Sequence, residues 1–152
     1  MKQFIDDLIE YISGQFESDT DIAKAVKVVN AYKQNDTIVP PQITVQCLED
    51  NDSALDDDYS GERISYIAVQ INAYCQQMKI NNVTKSAQDS VLIFADKISQ
   101  MLTKQKAVTW NENIIRVRRV GGTFGMPIES GATTYVSPIR FDFYVQYDYN
   151  NI

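Results

Sequence analysis

There is no histidine in this sequence. That removes the commonest general base and the commonest transition-metal ligand, so histidine-dependent triads and histidine metal sites are excluded. Cysteine is almost as scarce. Cys47 and Cys75 are the only two, and a pair so far apart makes no zinc site. Each lies in an apolar, strand-like run, so both are read as reduced, buried small hydrophobes rather than as a disulfide. Basic residues are outnumbered, 14 against 20 acids, which leaves a net charge of −6. A dedicated nucleic-acid binder needs a basic footprint to displace counterions from phosphates, and this chain lacks one. No apolar run is long enough for a signal peptide or a membrane span. The protein is expected to stay in the compartment that makes it.

What is present suits one folded domain spanning residues 1–152. A chain of 152 residues can bury about two-thirds of its unfolded surface, and 44% hydrophobic residues are enough for a packed core. Nine tyrosines and six phenylalanines point to sheet surfaces and contacts, where flat amphipathic rings fit well.

Residues 3–17 carry Phe4, Ile5, Leu8, Ile9, Ile12 and Phe16 as a helical stripe, with Asp6 and Asp7 placed in the first turns. Residues 25–33 fit either a helix or a strand. Pro40-Pro41 and the alternation Ile43, Val45, Cys47 in 42–48 favour two strands joined as a hairpin. Residues 49–62 hold seven acids (Glu49, Asp50, Asp52, Asp56, Asp57, Asp58 and Glu62), and this stretch reads as a solvated loop. Its spacing lacks the glycine and terminal glutamate of a calcium loop. In 64–75, Ile67, Val69, Ile71 and Ala73 take one face while Tyr66, Gln70, Asn72 and Tyr74 take the other. The second face is aromatic and amide-rich, as for a surface covered by a partner or a helix.

Residues 86–104 give the clearest helix, with Ser86 and Asp89 as a capping pair and Val91, Phe94, Ala95, Ile98, Met101 and Leu102 as its apolar stripe. Lys97, Lys104 and Lys106 lie toward its C-terminal end, as the helix dipole prefers. Residues 113–120 and 139–149 read as strands separated by a long glycine-containing loop, 121–132. The expected fold is therefore α+β: an antiparallel or mixed sheet of about five strands with two main helices on one face. Ile67, Val69, Ile71, Phe94, Ile98 and Phe143 form the expected core.

No catalytic set emerges. Gly121-Gly122-Thr123-Phe124-Gly125 has no following lysine or helix, so it is read as an extended loop rather than a phosphate cradle. Nearly all carboxylates fall in loops or on helix surfaces, and no nucleophile has a base beside it. Two features instead suggest contact between proteins. Phe124, Met126 and Ile128 sit among glycines in the long loop, where apolar side chains in water are unfavourable. Arg116, Arg118 and Arg119 form the one dense basic cluster. On a strand, Arg116 and Arg118 share a face and Arg119 points away. Such a cluster serves as a solvated or salt-bridged edge, as a subunit contact with the acidic 49–62 stretch, or as a nucleic-acid contact.

The order of these pieces resembles the tail terminator, or tail completion, proteins of long-tailed phages of the siphophage type, also termed minor capsid proteins. The matching features begin with the N-terminal helix and Gln42-Ile43-Thr44-Val45-Gln46, then an acidic stretch closing on Gly61-Glu62. Ile64-Ser65-Tyr66-Ile67-Ala68-Val69-Gln70-Ile71, an amphipathic helix, Val117-Arg118-Arg119-Val120, a glycine-rich loop and a tyrosine-rich last strand follow. The resemblance spans most of the chain and rests on pattern. It implies a homo-oligomer, a hexameric ring in the virion tail, assembled in the host cytoplasm. Such a ring caps the tail tube, meets the tail-tube protein and the head–neck connector proteins, and lets DNA pass through its bore without specific binding. It implies no enzyme activity, no cofactor and no membrane. Related readings are a head–tail connector or a tail-tube subunit. A reading of another class is a small-molecule-binding or enzymatic α+β domain, with a pocket between sheet and helices lined by Tyr66, Tyr74 and Tyr144.

Overall fold

The computed structural model describes residues 2–33, 37–53, 62–103, 110–121 and 124–148. Helix α1 runs Lys2–Glu17 and buries Phe4, Ile5, Leu8, Ile12 and Phe16, a spacing of three and four that keeps one face apolar. Ser18 ends it by donating from both its amide and its hydroxyl to the Gly14 carbonyl. Because the helix begins at Lys2, its first turn carries no acid. Asp6 and Asp7 lie beyond the reach of the N-terminal dipole, contrary to the sequence expectation.

Helix α2, Ala87–Thr103, is capped as expected, with the Asp89 amide donating to the Ser86 hydroxyl at 3.1 Å. It buries Val91, Phe94, Ala95, Ile98 and Leu102. No basic residue occupies its last turn. Lys97 sits mid-helix and is used otherwise, held by Asp19 at 2.7 Å and Asp21 at 3.3 Å. Lys104 and Lys106 lie outside the described residues.

The strands are β1 (Lys27–Asn30), β2 (Gln42–Ser53), β3 (Glu62–Cys75), β4 (Met78–Ile80), β5 (Val83–Lys85), β6 (Ile114–Val120), β7 (Met126–Pro127) and β8 (Tyr135–Asp148). Six of them form one mixed sheet in the order β1-β2-β3-β8-β6, with β7 also on β8. The fold is α+β with both helices on one face of that sheet, and the sheet is one strand larger than the sequence suggested.

Four features differ from the sequence reading. The first is that β1 and β2 do not form a hairpin. They pair in parallel, Lys27 beside Gln42 and Asn30 beside Val45. A tight turn cannot join parallel strands. The chain instead leaves β1 through a 3-10 turn, Ala31–Lys33, and returns at Pro41 to the level of Lys27. Second, β2 does not stop at Leu48 but continues through Glu49–Ser53, because β3 offers a full ladder there down to the Ser53–Ile64 pair. Residues 54–61, with the remaining acids of the expected loop except Glu62, lie outside the described residues. Third, β4 and β5 form a small hairpin closed by Asn81 and Asn82, with φ of 53° and 62°. Two consecutive positive φ values are the two-residue turn that matches strand twist, and asparagine tolerates them. Finally, part of the 121–132 loop is β7, paired to Tyr135 and Val136.

The core lies between the helices and the odd-numbered residues of β3 and β8. Ile67, Val69, Ile71, Phe94, Ile98 and Phe143 are all buried within it, as expected. Aromatic contacts knit the layers: Phe16 stacks on Phe94 at 5.2 Å, and Phe4 meets the edge of Phe143 at 5.2 Å. Cys75 is buried, whereas Cys47 is only half-buried, at the β2 bulge between Cys47 and Glu49. Neither cysteine is in a disulfide.

Candidate protein-contact surfaces

Among the described residues, helices cover one side of the sheet and leave the other without a helix. In-register partners share a face. The helix-free face therefore collects Thr44 and Gln46 from β2, and Tyr66, Gln70, Asn72 and Tyr74 from β3. From β8 and β6 come Arg140, Asp142 and Tyr144, and Arg116 and Arg118. Sequence reasoning divided β3 into these two faces correctly. It also allowed a pocket between sheet and helices lined by Tyr66, Tyr74 and Tyr144, but those rings lie on the opposite side from the helices. Surface clefts of about 470 Å³ beside Lys97 and about 520 Å³ beside Tyr11 and Trp110 contain none of the three tyrosines.

The helix-free face is organised by side chains. The Tyr66 hydroxyl donates to Asp142 Oδ1 at 2.9 Å and accepts from Arg140 Nη2 at 2.9 Å. Arg140 Nε also reaches Asp142 at 3.4 Å. Burial, with the adjoining Asp142 carboxylate, holds the Tyr66 phenol above its ordinary pKa against the opposing pull of Arg140. The Tyr66 and Tyr144 rings pack at 5.5 Å, and the Arg116 guanidinium lies over Tyr144 at 5.8 Å from the ring centre. Gln70 donates to Asn72, which donates to Thr44 at 3.4 Å. This network was not anticipated. Only the β3–β8 register, which sets Tyr66 opposite Tyr144 and Ala68 opposite Asp142, brings the Tyr66 hydroxyl diagonally within reach of Asp142.

The three arginines of β6 part company as their alternation predicts. Arg116 and Arg118 are exposed on the helix-free face. Arg119 turns toward the helices and donates to the Ser99 hydroxyl of α2 at 2.8 Å, so its role is to tie β6 to α2. It does not join the other two in a contact surface.

Beyond β6 the chain turns at Gly121, with φ of 80°, and runs along the same edge of β8. Gly125 fixes this segment. A Cβ there would stand 2.7 Å from Val91 Cγ2 and 3.3 Å from the Gln88 carbonyl oxygen, so only glycine allows the loop to lie this close to α2. The Gln88 side chain donates to the Gly125 carbonyl at 3.4 Å. The Ile128 amide donates to Thr134, and Ala132 to Glu129 in a turn with Gly131 at φ 78°. On this frame Phe124 is 59% exposed, Met126 37% and Ile128 44%. The three apolar side chains thus stand in water on an anchored loop, which follows β6 along the same edge of β8.

The chemical groups elsewhere are quiet. Burial pushes the Cys75 thiol up to about 12, which removes it as a nucleophile near neutrality. Among the described residues no group of histidine, cysteine, aspartate or glutamate side chains is placed to hold a metal ion. No helix among them is long and apolar enough to cross a membrane. The chain matches no protein-family model and no curated protein.

Proposed function

We propose that the protein is a structural component of a long-tailed phage: a ring-forming tail terminator that caps the tail tube and joins it to the head–neck proteins. The sequence resemblance supplies the identity of the partners. The observation that carries the mode of action is the anchored loop bearing Phe124, Met126 and Ile128. Large apolar groups held out on a fixed frame lose little conformational entropy when covered, so a partner gains most of the burial, at roughly 25 cal/mol per Å² of apolar surface. The acidic balance of the chain suits a ring whose bore passes DNA without retaining it.

The test is the double substitution Phe124→Ser with Met126→Ser. Both side chains are exposed, so circular dichroism and the melting temperature should match the wild type. Tails assembled with the variant and viewed by electron microscopy should lack length control or fail to join heads. A variant that folds and still yields normal, length-controlled tails removes the loop as the interface.

A further inference from the structure

Beside α1 runs a cleft of about 520 Å³ lined by Asp7, Glu10, Tyr11, Gly14, Gln15 and Trp110. Its aromatic wall is fixed. Tyr11 stacks on Trp110 at 5.8 Å and donates its hydroxyl to the Met101 carbonyl at 3.0 Å, while Phe4 packs against Trp110 at 5.3 Å. Asp7 and Glu10 are spaced i, i+3, so one turn of helix brings both carboxylates to the same rim. Asp7 accepts from Gln3 at 2.8 Å, Glu10 is exposed, and among the described residues no base lines the cleft. Gly14 keeps the cleft open. A Cβ there would meet nothing within 4 Å, so the packing of this chain does not call for glycine, although glycine weakens a helix.

An apolar wall with an acidic rim suits a long basic side chain, whose stem lies along the rings while its head meets the carboxylates. A guanidinium fits two carboxylates better than an ammonium does, because its planar fork donates in fixed directions and packs well on aromatic rings. Among the described residues, three arginines are engaged within the chain. Arg116 lies over Tyr144, Arg119 donates to Ser99, and Arg140 holds Tyr66 and Asp142. The Arg118 side chain is exposed and has no ion pair or hydrogen bond among the described residues. It stands opposite Asp142 on the helix-free face, on the strand that leads into the loop of Phe124. The cleft lies on the helix side, where Trp110 meets Phe143 at 6.2 Å. The sheet separates the two, so Arg118 cannot reach the cleft of its own chain.

We propose that the cleft of one copy takes the Arg118 side chain of the next copy. The inference rests on the ring reading above and names a contact that would build the ring. Each copy offers one cleft and one Arg118 on opposite faces, so the contact uses different patches on its two sides. Such a contact closes into a ring when its rotation allows and otherwise runs on as a fibre. The unlike charges also set its polarity, because a cleft facing a second cleft, or Arg118 facing a second Arg118, is repelled. The apolar loop that follows β6 then borders the same joint.

The experiment compares the wild type with Arg118→Glu, Asp7→Lys/Glu10→Lys and Gly14→Gln by sedimentation velocity and electron microscopy, alone and with added tails. Circular dichroism checks that each variant is folded. Arg118→Glu and Asp7→Lys/Glu10→Lys each place like charges at the joint, and association should weaken at least about ten-fold. An equimolar mixture of these two restores an unlike pair at every joint and should recover assembly with the variants alternating. Gly14→Gln fills the cleft, so its melting temperature should equal or exceed that of the wild type while its association weakens. Arg118→Gln serves if a glutamate opposite Asp142 prevents folding, and it should weaken association and flatten its salt dependence. If the wild type assembles and every folded variant assembles as tightly, the joint lies elsewhere, the inference is overturned and the ring reading stands. If the charge variants fail singly and their mixture also fails, cleft and arginine do not face each other and the inference is again overturned. If the wild type assembles neither in solution nor on tails, the ring reading falls and takes this inference with it.

Discussion

Phe143→Ala offers the most direct test of how the core is built. Phe143 lies on β8 between Ile67 of β3 and Val117 of β6 and has no exposed surface. Its ring meets Phe4 of α1 edge-on at 5.2 Å, Trp110 at 6.2 Å and Phe141 at 6.5 Å. Truncation removes the transfer free energy of the ring and leaves a cavity, a loss of about 3–5 kcal/mol. Three ring partners are lost together, each pair contributing roughly 0.5–1.5 kcal/mol beyond area, which places the expectation in the upper half of that range. Domains of this kind hold only about 5–15 kcal/mol, so the variant should be folded but close to its limit.

Trp110 is the single tryptophan and packs on Phe4 at 5.3 Å, so its fluorescence reports on this cluster directly. Urea unfolding followed by Trp110 fluorescence and by circular dichroism should give coincident curves, with a shifted midpoint and an unchanged slope. Phe4→Ala in both backgrounds should reveal a coupling of about 0.5–1.5 kcal/mol. A loss below about 1 kcal/mol for Phe143→Ala would mean that the ring is not enclosed by α1, β3 and β6, and the inward face would be wrongly assigned.

Three further outcomes follow from single contacts. Gly125→Ala drives a Cβ against buried Val91, so it should cost about 1–3 kcal/mol in thermal unfolding or lift the loop from α2, and it should impair tail assembly alongside the Phe124/Met126 variant. Tyr11→Phe removes the hydroxyl that donates to the Met101 carbonyl at 3.0 Å in the last turn of α2, and the expected loss is about 1 kcal/mol with faster amide exchange confined to that helix end. The third concerns pH. Burial opposes the charged form of Asp19, but the Lys97 hydrogen bond, the Asp21 amide and the Lys97 charge outweigh it and hold its pKa below the usual value. Burial likewise opposes charge on Lys97, and its two aspartates outweigh that and hold its pKa above the usual value. The aspartate contribution is therefore present above about pH 4 and lost as pH falls through the lowered value, while the lysine contribution is complete below about pH 10 and lost as pH rises through the raised one. Lys97→Met should cost about 0.5–1 kcal/mol at neutral pH, with the difference from wild type shrinking in strong acid and strong base. A difference that stays constant into acid would show that the pair is not what stabilises this corner.

Much of the fold was legible because it is written in local periodicity. The stripe Val91, Phe94, Ile98 and Leu102 had one helical face to bury, and Phe141, Phe143 and Val145 alternate so strictly that only a half-buried strand accommodates them. The same period of two placed Arg116 and Arg118 together and Arg119 apart, and the glycine-rich loop announced its exposed Phe124, Met126 and Ile128. Other features depend on what lies next in space. Alternation in 42–48 cannot tell whether its neighbour runs parallel, and the acids of 49–53 are strand only because β3 continues beside them. Alternation also divided β3 into two faces, and the apolar one, with Ile67, Val69 and Ile71, meets the helices as expected. The sequence did not tell that Tyr66, Tyr74 and Tyr144 stand away from any pocket on the helix-free side, where the register of β8 sets Tyr66 opposite Tyr144 with its hydroxyl in reach of Arg140 and Asp142. Side-chain period is a property of each strand alone, whereas pairing, register and the covered face are set by contacts between residues far apart in the chain, and these the tertiary structure decided.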